Sequence, residues 1–318
     1  MNNTYIKKPL SDDELREKVA LLRKVQKVTR PIGWILFCSI FVLTFLCCWN
    51  PFWGNQLQTG IDIFVFFIPI ISFAIGYTLL HVSYGRCPNK IWAVVADSLL
   101  PDLLREKFTY LTYDSKGSVD RKLVDYVDMV DKGGLLRVFA AAFKGRNHFL
   151  GLYKGRKVEF SDIWIYNTNP SHLPGAGSPA TFFKGPWMTF DHGMYVPTRI
   201  RIRERTRDFA DAKKTISNVI TPDAEFNARF QVVADNPHLA YLILTPQFIK
   251  RVMKFGGNVR MCFEPGRAHI AFNTDRYTFE VTGEEWEMAD LNRLRKRFRQ
   301  EIQHITEVID IICEGDRI

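Results

Sequence analysis

The chain has 318 residues, 47% hydrophobic and 14% aromatic, with a formal net charge of +9. Its six cysteines form no CxxC pair and no zinc spacing with histidine, which excludes a zinc ribbon and argues against a disulfide framework. The basic balance indicates an acidic partner, and we expect anionic lipid head groups rather than nucleic acid.

The N-terminal segment, residues 1–30, predicts a cytoplasmic amphipathic helix. Ser11-Asp12-Asp13-Glu14 reads as a capping box, in which Ser11 caps the helix and Glu14 reaches back to it. Apolar residues then recur at helical spacing as far as Arg30.

Two long uncharged runs follow, and they predict a transmembrane hairpin over residues 31–86. The runs Ile32–Trp49 and Ile63–Leu80 each hold about eighteen residues, close to the minimum for crossing a bilayer. Lysine and arginine are frequent before the first run and absent from the loop between the runs. We therefore expect both termini in the cytoplasm, with the lipid bilayer as a partner.

Residues 87–283 predict a cytoplasmic α+β domain with an antiparallel sheet and flanking helices. Pro88–Tyr113 reads as a helix divided at Pro101, and a second helix is predicted within Asp120–Asp131. Lys144-Gly145-Arg146 and Lys154-Gly155-Arg156 read as turns between short apolar strands. The predicted strands are Arg137–Phe143, His148–Tyr153, Val158–Phe160, Ile163–Tyr166, Phe226–Ala234, Val259–Phe263, Ala268–Phe272 and Tyr277–Val281. Thr245 and Pro246 are predicted to start a helix that ends before Gly256.

The last segment, residues 284–318, predicts a long helix over Glu284–Cys313. Apolar residues repeat every seven positions with one fault at Glu301, which allows either a coiled coil or a docked helix. Docking on the domain, or pairing with the N-terminal helix, is slightly favoured over homo-oligomerisation.

An arginine-rich strand is the strongest candidate for a binding site. Its members fall on every second residue and so share one face: Arg199, Arg201, Arg203, Arg205 and Arg207. Five guanidinium groups in a row repel one another unless water or an anion covers them. This face is predicted to contact anionic lipid or an acidic protein partner. The alternative is an exposed edge strand that its charges protect against aggregation.

No catalytic, cofactor-binding or metal-binding motif is recognised, and no cofactor is expected. The chain lacks a GxSxG motif, a P-loop and a GxGxxG turn, and no histidines share metal-ligand spacing. An enzyme remains an alternative hypothesis, with a pocket built from Asp162, Asp191, His192 and His269.

Three stretches carry a resemblance to a known family: Tyr153–Ile163, Phe182–Pro186, and Glu225–Val232 followed by Ala240–Pro246. They resemble the bacterial membrane-protein family known as domain of unknown function 3137. The resemblance implies a bacterial membrane protein with a cytoplasmic α+β domain, and it supplies no catalytic residue. We therefore expect a multi-pass protein of the bacterial inner (cytoplasmic) membrane. Its cytoplasmic domain would act in binding or as a scaffold.

Overall fold

The computed structural model describes residues 10–49, 61–130, 141–167, 181–205, 218–281 and 291–313. The chain falls into two compact units, Pro9–Ser98 and a larger unit that includes Leu99–Ile318. The larger unit contains an antiparallel sheet with flanking helices and a C-terminal helix, as predicted.

The smaller unit is built on two long helices. Helix α1 is Asp12–Trp49 and α2 is Ile61–His81, followed by a π-helical segment, Val82–Arg86. The predicted capping box is confirmed, because the Ser11 backbone N–H donates to Glu14 Oε2 over 2.9 Å. A Cβ on Gly76 would lie 2.7 Å from the Phe37 nitrogen, so this glycine lets α1 and α2 approach closely. Apolar side chains of both helices are exposed, including Ile35 and Ile70.

The predicted transmembrane hairpin is wrong. Among the described residues, no helix combines the length and apolarity needed to cross a membrane. The described side chains of α1 include its basic part up to Arg30 and run to Ser39, while those of α2 begin at Ile70. Neither described stretch reaches the roughly 20 apolar residues of a span. This finding also contradicts the membrane-anchored fold class and the multi-pass inner-membrane location.

The larger unit is organised by one eight-stranded sheet. Its strands, in chain order, are β1 Thr109–Asp114, β2 Ala141–Tyr153, β3 Arg156–Asn167, β4 Thr181–Asp191, β5 Ile200–Glu204, β6 Phe230–Ala234, β7 Val259–Glu264 and β8 Arg267–Phe272. Their order across the sheet is β1-β2-β3-β4-β8-β7-β5-β6, and neighbours are antiparallel.

The two predicted Lys-Gly-Arg turns have different outcomes. Lys154 and Gly155 form the turn between β2 and β3, with φ of 50° and 79°, which is typical of a tight hairpin. Lys144-Gly145-Arg146 is not a turn, because β2 continues through it and bulges between Arg146 and Phe149. Residues 137–140 of the first predicted strand lie outside the described residues.

The described residues contain six further helices. They are α3 Cys87–Arg105, α4 Arg121–Val127, α5 Ala224–Arg229, α6 Pro237–Ala240, α7 Pro246–Met253 and α8 Leu291–Cys313. Pro101 lies inside α3 without dividing it. Thr245 caps α7 as predicted, accepting a hydrogen bond from the Phe248 N–H.

The predicted strand Phe226–Ala234 is wrong in its first part, because Asp223 caps the helix Ala224–Arg229 and the strand begins at Phe230. The separate strands predicted at Val158–Phe160 and Ile163–Tyr166 form the single strand β3.

Two further predicted elements differ from the structure because neighbouring strands determine the fold there. The helix predicted as far as Tyr113 ends at Arg105, and the next segment pairs with β2 as β1. Tyr277–Val281 is not a strand, because β8 is already flanked by β7 and β4. The third strand of the predicted meander therefore has no edge to join.

The core lies between one face of the sheet and α8. Phe279 links the two layers, with its ring 5.9 Å from that of Phe160 and 5.5 Å from that of Phe298. The apolar stripe of α8 is buried: Leu291, Leu294, Phe298, Ile302, Ile305, Val308, Ile309 and Ile312. The helix is thus docked on its own domain. On the opposite face, α4 packs on a smaller cluster that includes Ile163, Trp187 and Cys262.

Candidate functional site

The arginine-rich strand is an interior strand, and the side chains of Arg199, Arg201 and Arg203 have partners within the protein. Arg199 donates to Asp235 over 3.2 Å, and Arg201 donates to Asp128 over 2.9 Å. Arg203 donates to the backbone carbonyl of Asp128. Because β5 lies between β7 and β6, the edge-strand alternative is wrong. The anion-contact role stays a prediction.

The remaining two arginines differ from these three. Arg205 is exposed, and its backbone N–H donates to the Arg229 carbonyl over 2.8 Å. Arg207 lies outside the described residues. The side chains that a ligand would meet on this strand are therefore largely committed to Asp128 and Asp235.

The residues of the hypothetical enzyme pocket divide into two places. His192 and His269 converge on Glu264: His192 Nε2 lies 3.0 Å from its carbonyl, and His269 Nε2 lies 2.8 Å from its carboxylate. Asp191 ends β4 opposite Arg267, near this group. Asp162 belongs to a separate cluster described below.

A buried hydroxyl–imidazole–carboxylate relay runs across strands β4, β8 and β7. Thr189 Oγ1 lies 2.9 Å from His269 Nδ1, and the Trp187 indole donates to Thr189 over 3.3 Å. With the Glu264 carboxylate as acceptor, His269 donates a hydrogen bond from Nε2 and accepts one from the Thr189 hydroxyl at Nδ1. Such a relay activates a nucleophile in some enzymes. Here Thr189 is only 6% exposed, so the relay holds the sheet together from inside.

Burial makes this relay sensitive to pH. Burial lowers the pKa of His269, which hydrogen bonding to Glu264 opposes, and Glu159 and Arg267 are the other charged groups acting on it. The unfolded chain therefore binds the proton more readily, and the contribution of neutral His269 to stability is lost as pH falls below about 6.5. We expect the stability difference between wild type and His269→Gln, measured by urea unfolding, to shrink from pH 7.5 to pH 5. A difference independent of pH would contradict this assignment.

Asp162 forms the centre of the second cluster. Its carboxylate accepts hydrogen bonds from Asn147 over 2.7 Å and from the Thr278 hydroxyl over 2.7 Å. Burial raises its pKa, and these hydrogen bonds and the charge of Arg146 oppose that change. The guanidinium of Arg146 stacks 3.5 Å from the centre of the Tyr277 ring. Thr278, which Asp162 holds, is next in sequence to Tyr277, so the cluster fixes the chain at the point where Tyr277 meets Arg146.

Basic and aromatic side chains alternate next to this cluster. We call them the basic–aromatic face: Lys144, Arg146, Trp164, Tyr166, Lys184 and Tyr277. Lys144, Trp164 and Lys184 are direct cross-strand partners on β2, β3 and β4. The ammonium nitrogens of Lys144 and Lys184 lie 5.6 and 5.8 Å from the centre of the Trp164 ring, within reach of a cation–π interaction.

The loop after β8 holds the backbone of Lys184 in place. Its N–H donates to the Asn273 side chain over 3.0 Å, and its carbonyl accepts from the N–H groups of Thr274 and Asp275, each over 3.0 Å. The next residue, Gly185, has φ of 154° and lies against the Phe272 carbonyl. The loop after β8 therefore fixes the position from which the Lys184 side chain extends.

Sequence reasoning missed the basic–aromatic face for an identifiable reason. Lys144 was assigned to a turn, whereas it lies in the extended part of β2 opposite Trp164. The alternation of Trp164 and Tyr166 along β3 was the available signal, because residues two apart share a face. Their neighbours depended on strand register, which the sequence alone did not supply.

Metal binding has no support in the part of the chain that the structure describes. Within residues 10–49, 61–130, 141–167, 181–205, 218–281 and 291–313, no three His, Cys, Asp or Glu side chains are grouped to hold a metal ion.

Comparison with known proteins identifies a family over part of the chain. The family model described as "Protein of unknown function (DUF3137)" matches residues 181–312. The match confirms the predicted resemblance there and includes the motifs at Phe182–Pro186, Glu225–Val232 and Ala240–Pro246. No curated protein and no solved structure shows significant similarity to the chain. The family description names no activity, so the proposed function rests on the geometry of the site.

Proposed function

We propose that this chain, whose residues 181–312 match the DUF3137 family, is a binding protein that holds an anionic ligand on its basic–aromatic face. One observation carries the proposal. Lys144 and Lys184 approach Trp164 from the strands on either side, and among the described residues neither forms an ion pair with a carboxylate.

The electrostatics of the row favour an anion. Two ammonium groups that share one ring repel each other, and a phosphate or carboxylate near both relieves that repulsion. Each such contact near a solvent-exposed surface contributes on the order of 1 kcal/mol or less. Arg146, whose side chain is 15% exposed, lies on the same face but is already paired with Glu280 over 3.7 Å. Several weak contacts of this kind together give a measurable affinity.

The contrast with the arginine-rich strand supports this location. Arg199 and Arg201 already have carboxylate partners in Asp235 and Asp128, so an external anion would have to replace them. At the basic–aromatic face, an anion meets the ammonium groups of Lys144 and Lys184 without displacing a described carboxylate, and only Arg146 is already paired, with Glu280. The proposed ligand is anionic, as the basic composition led us to expect, but the proposed surface is the basic–aromatic face and not the arginine-rich strand.

A charge-reversal experiment tests this function. Tripolyphosphate is titrated into the full chain by calorimetry, beside vesicles of phosphatidylcholine with phosphatidylglycerol, which separates a free phosphate ligand from a lipid head group. We expect the Lys144→Glu/Lys184→Glu variant to bind the active probe at least tenfold more weakly than wild type.

A charge-matched control distinguishes a site from general attraction. Lys122→Glu/Lys250→Glu makes the same change in net charge at two exposed lysines outside this face. It is expected to retain affinity within about twofold of wild type, since exposed charges at a distance are largely screened. Equal weakening in both variants, or no binding by wild type to either probe, would overturn the proposed function.

A further inference from the structure

We infer that the anionic ligand carries a flat aromatic ring that stacks on Trp164, which makes it a nucleotide or a related aromatic phosphate. This inference rests on the proposed function. It concerns the part of the ligand that does not bear the charge.

The first argument is the position of the indole within the lysine row. The face of an aromatic ring carries partial negative charge, so a bare anion placed directly above it is repelled. Trp164 occupies the middle of the row, between Lys144 and Lys184. A ligand matches this row when it presents an aromatic ring to the indole and its anionic groups to the flanking ammonium groups.

The second argument is that the indole is held in a defined orientation. Its Nε1–H donates to Thr181 Oγ1 over 3.2 Å. The Tyr166 ring stacks on it with centroids 4.2 Å apart and an angle of 28° between the rings. Both rings remain partly exposed. A fixed and partly exposed aromatic pair on a sheet is the kind of surface on which bases stack, because little side-chain freedom is lost on binding.

The third argument is the continuity of positive charge away from the indole. Lys184 lies 5.8 Å from the Trp164 ring centre and 4.9 Å from that of Tyr277, so it bridges the two aromatic groups. Arg146 stacks on Tyr277 at 3.5 Å. The geometry places the ring of the ligand at Trp164 and leads its phosphates toward Lys184, whereas Arg146 is paired with Glu280.

The test compares three probes on the full chain by calorimetry: adenosine diphosphate, ribose 5-phosphate and pyrophosphate. We expect adenosine diphosphate to bind at least tenfold more tightly than pyrophosphate, which carries the same diphosphate without the ring. Trp164→Leu should remove that advantage while pyrophosphate binding stays unchanged, and Trp164→Phe should keep most of it. Thermal unfolding of both variants confirms that they fold.

Each outcome separates this inference from the proposed function. Equal binding of adenosine diphosphate and pyrophosphate, with loss of both in Lys144→Glu/Lys184→Glu, would overturn the stacked ring and leave the anion site. A ring-dependent advantage that survives Trp164→Leu would also overturn the inference. Failure of all three probes and of tripolyphosphate would overturn both.

Discussion

Replacing Gly185 by alanine is expected to lower the free energy of unfolding by about 3 kcal/mol, the upper part of the range for an overpacked site. A Cβ at this position would lie 2.1 Å from the Phe272 carbonyl oxygen and 2.9 Å from Thr274 Oγ1. The Phe272 oxygen belongs to the backbone and cannot rotate away. The φ of Gly185, 154°, is also one that residues with a side chain rarely adopt.

Gly185→Ala should also weaken ligand binding at the basic–aromatic face. The segment that the new methyl group would displace, Asn273–Asp275, holds the backbone of Lys184 through three hydrogen bonds. Urea unfolding of the full chain measures the stability change, and the tripolyphosphate titration measures the effect on binding.

Gly256 provides the matched control for this substitution. A Cβ there would meet nothing within 4 Å, so Gly256→Ala should change stability by no more than about 0.5 kcal/mol. Equal stability of the Gly185→Ala and Gly256→Ala variants would show that the close approach of β4 to Phe272 is wrong.

Replacing Arg229 by alanine is expected to lower the free energy of unfolding by about 3 kcal/mol, because it leaves one partner of a shielded ion pair without the other. Arg229 donates to Glu204 over 2.9 Å and to the Met253 carbonyl over 2.9 Å, and it also donates to the Phe255 carbonyl. Glu204 in turn accepts from the Val259 N–H. Arg229 therefore joins β5 to the end of α7, and its partner Glu204 extends the connection to the start of β7.

Arg299→Ala is the comparison that isolates the effect of burial. Arg299 pairs with Glu106 through well-formed hydrogen bonds, but the two side chains are 54% and 43% exposed. Arg229 and Glu204 are 28% and 15% exposed. We expect Arg299→Ala to lower the free energy of unfolding far less than Arg229→Ala does, because exposed ion pairs contribute little to stability. A larger loss of stability for Arg299→Ala than for Arg229→Ala in urea unfolding would contradict the stabilising role assigned to the Arg229–Glu204 pair.

The family motif around Arg229 is explained mainly by local structure. Asp223 caps α5 by accepting from the Phe226 N–H over 2.9 Å. Asn227 locks Thr221 in place, donating to its carbonyl over 2.6 Å and accepting from its N–H over 3.0 Å. Sequence reasoning found the helix start at Thr245, because capping signals are local. It noted the Glu225–Val232 stretch only as a family resemblance, and it predicted a strand from Phe226 where α5 forms.

Side-chain partnerships across the sheet could not be predicted in the same way. Thr189 and His269 are 80 residues apart and meet because β4 pairs with β8. Asp128 reaches Arg201 because α4 packs over that part of the sheet. The arginine alternation was real, but its ion pairs depended on chain segments whose placement no local pattern records.

The most direct measurement of the central claim is a lysine-labelling footprint of the full chain. Lysines are acetylated with and without saturating tripolyphosphate, and the modified sites are quantified by mass spectrometry. We predict that the ligand reduces labelling of Lys144 and Lys184 severalfold while Lys122 and Lys250 are labelled as before. Unchanged labelling of Lys144 and Lys184 under saturating ligand would contradict binding at the basic–aromatic face.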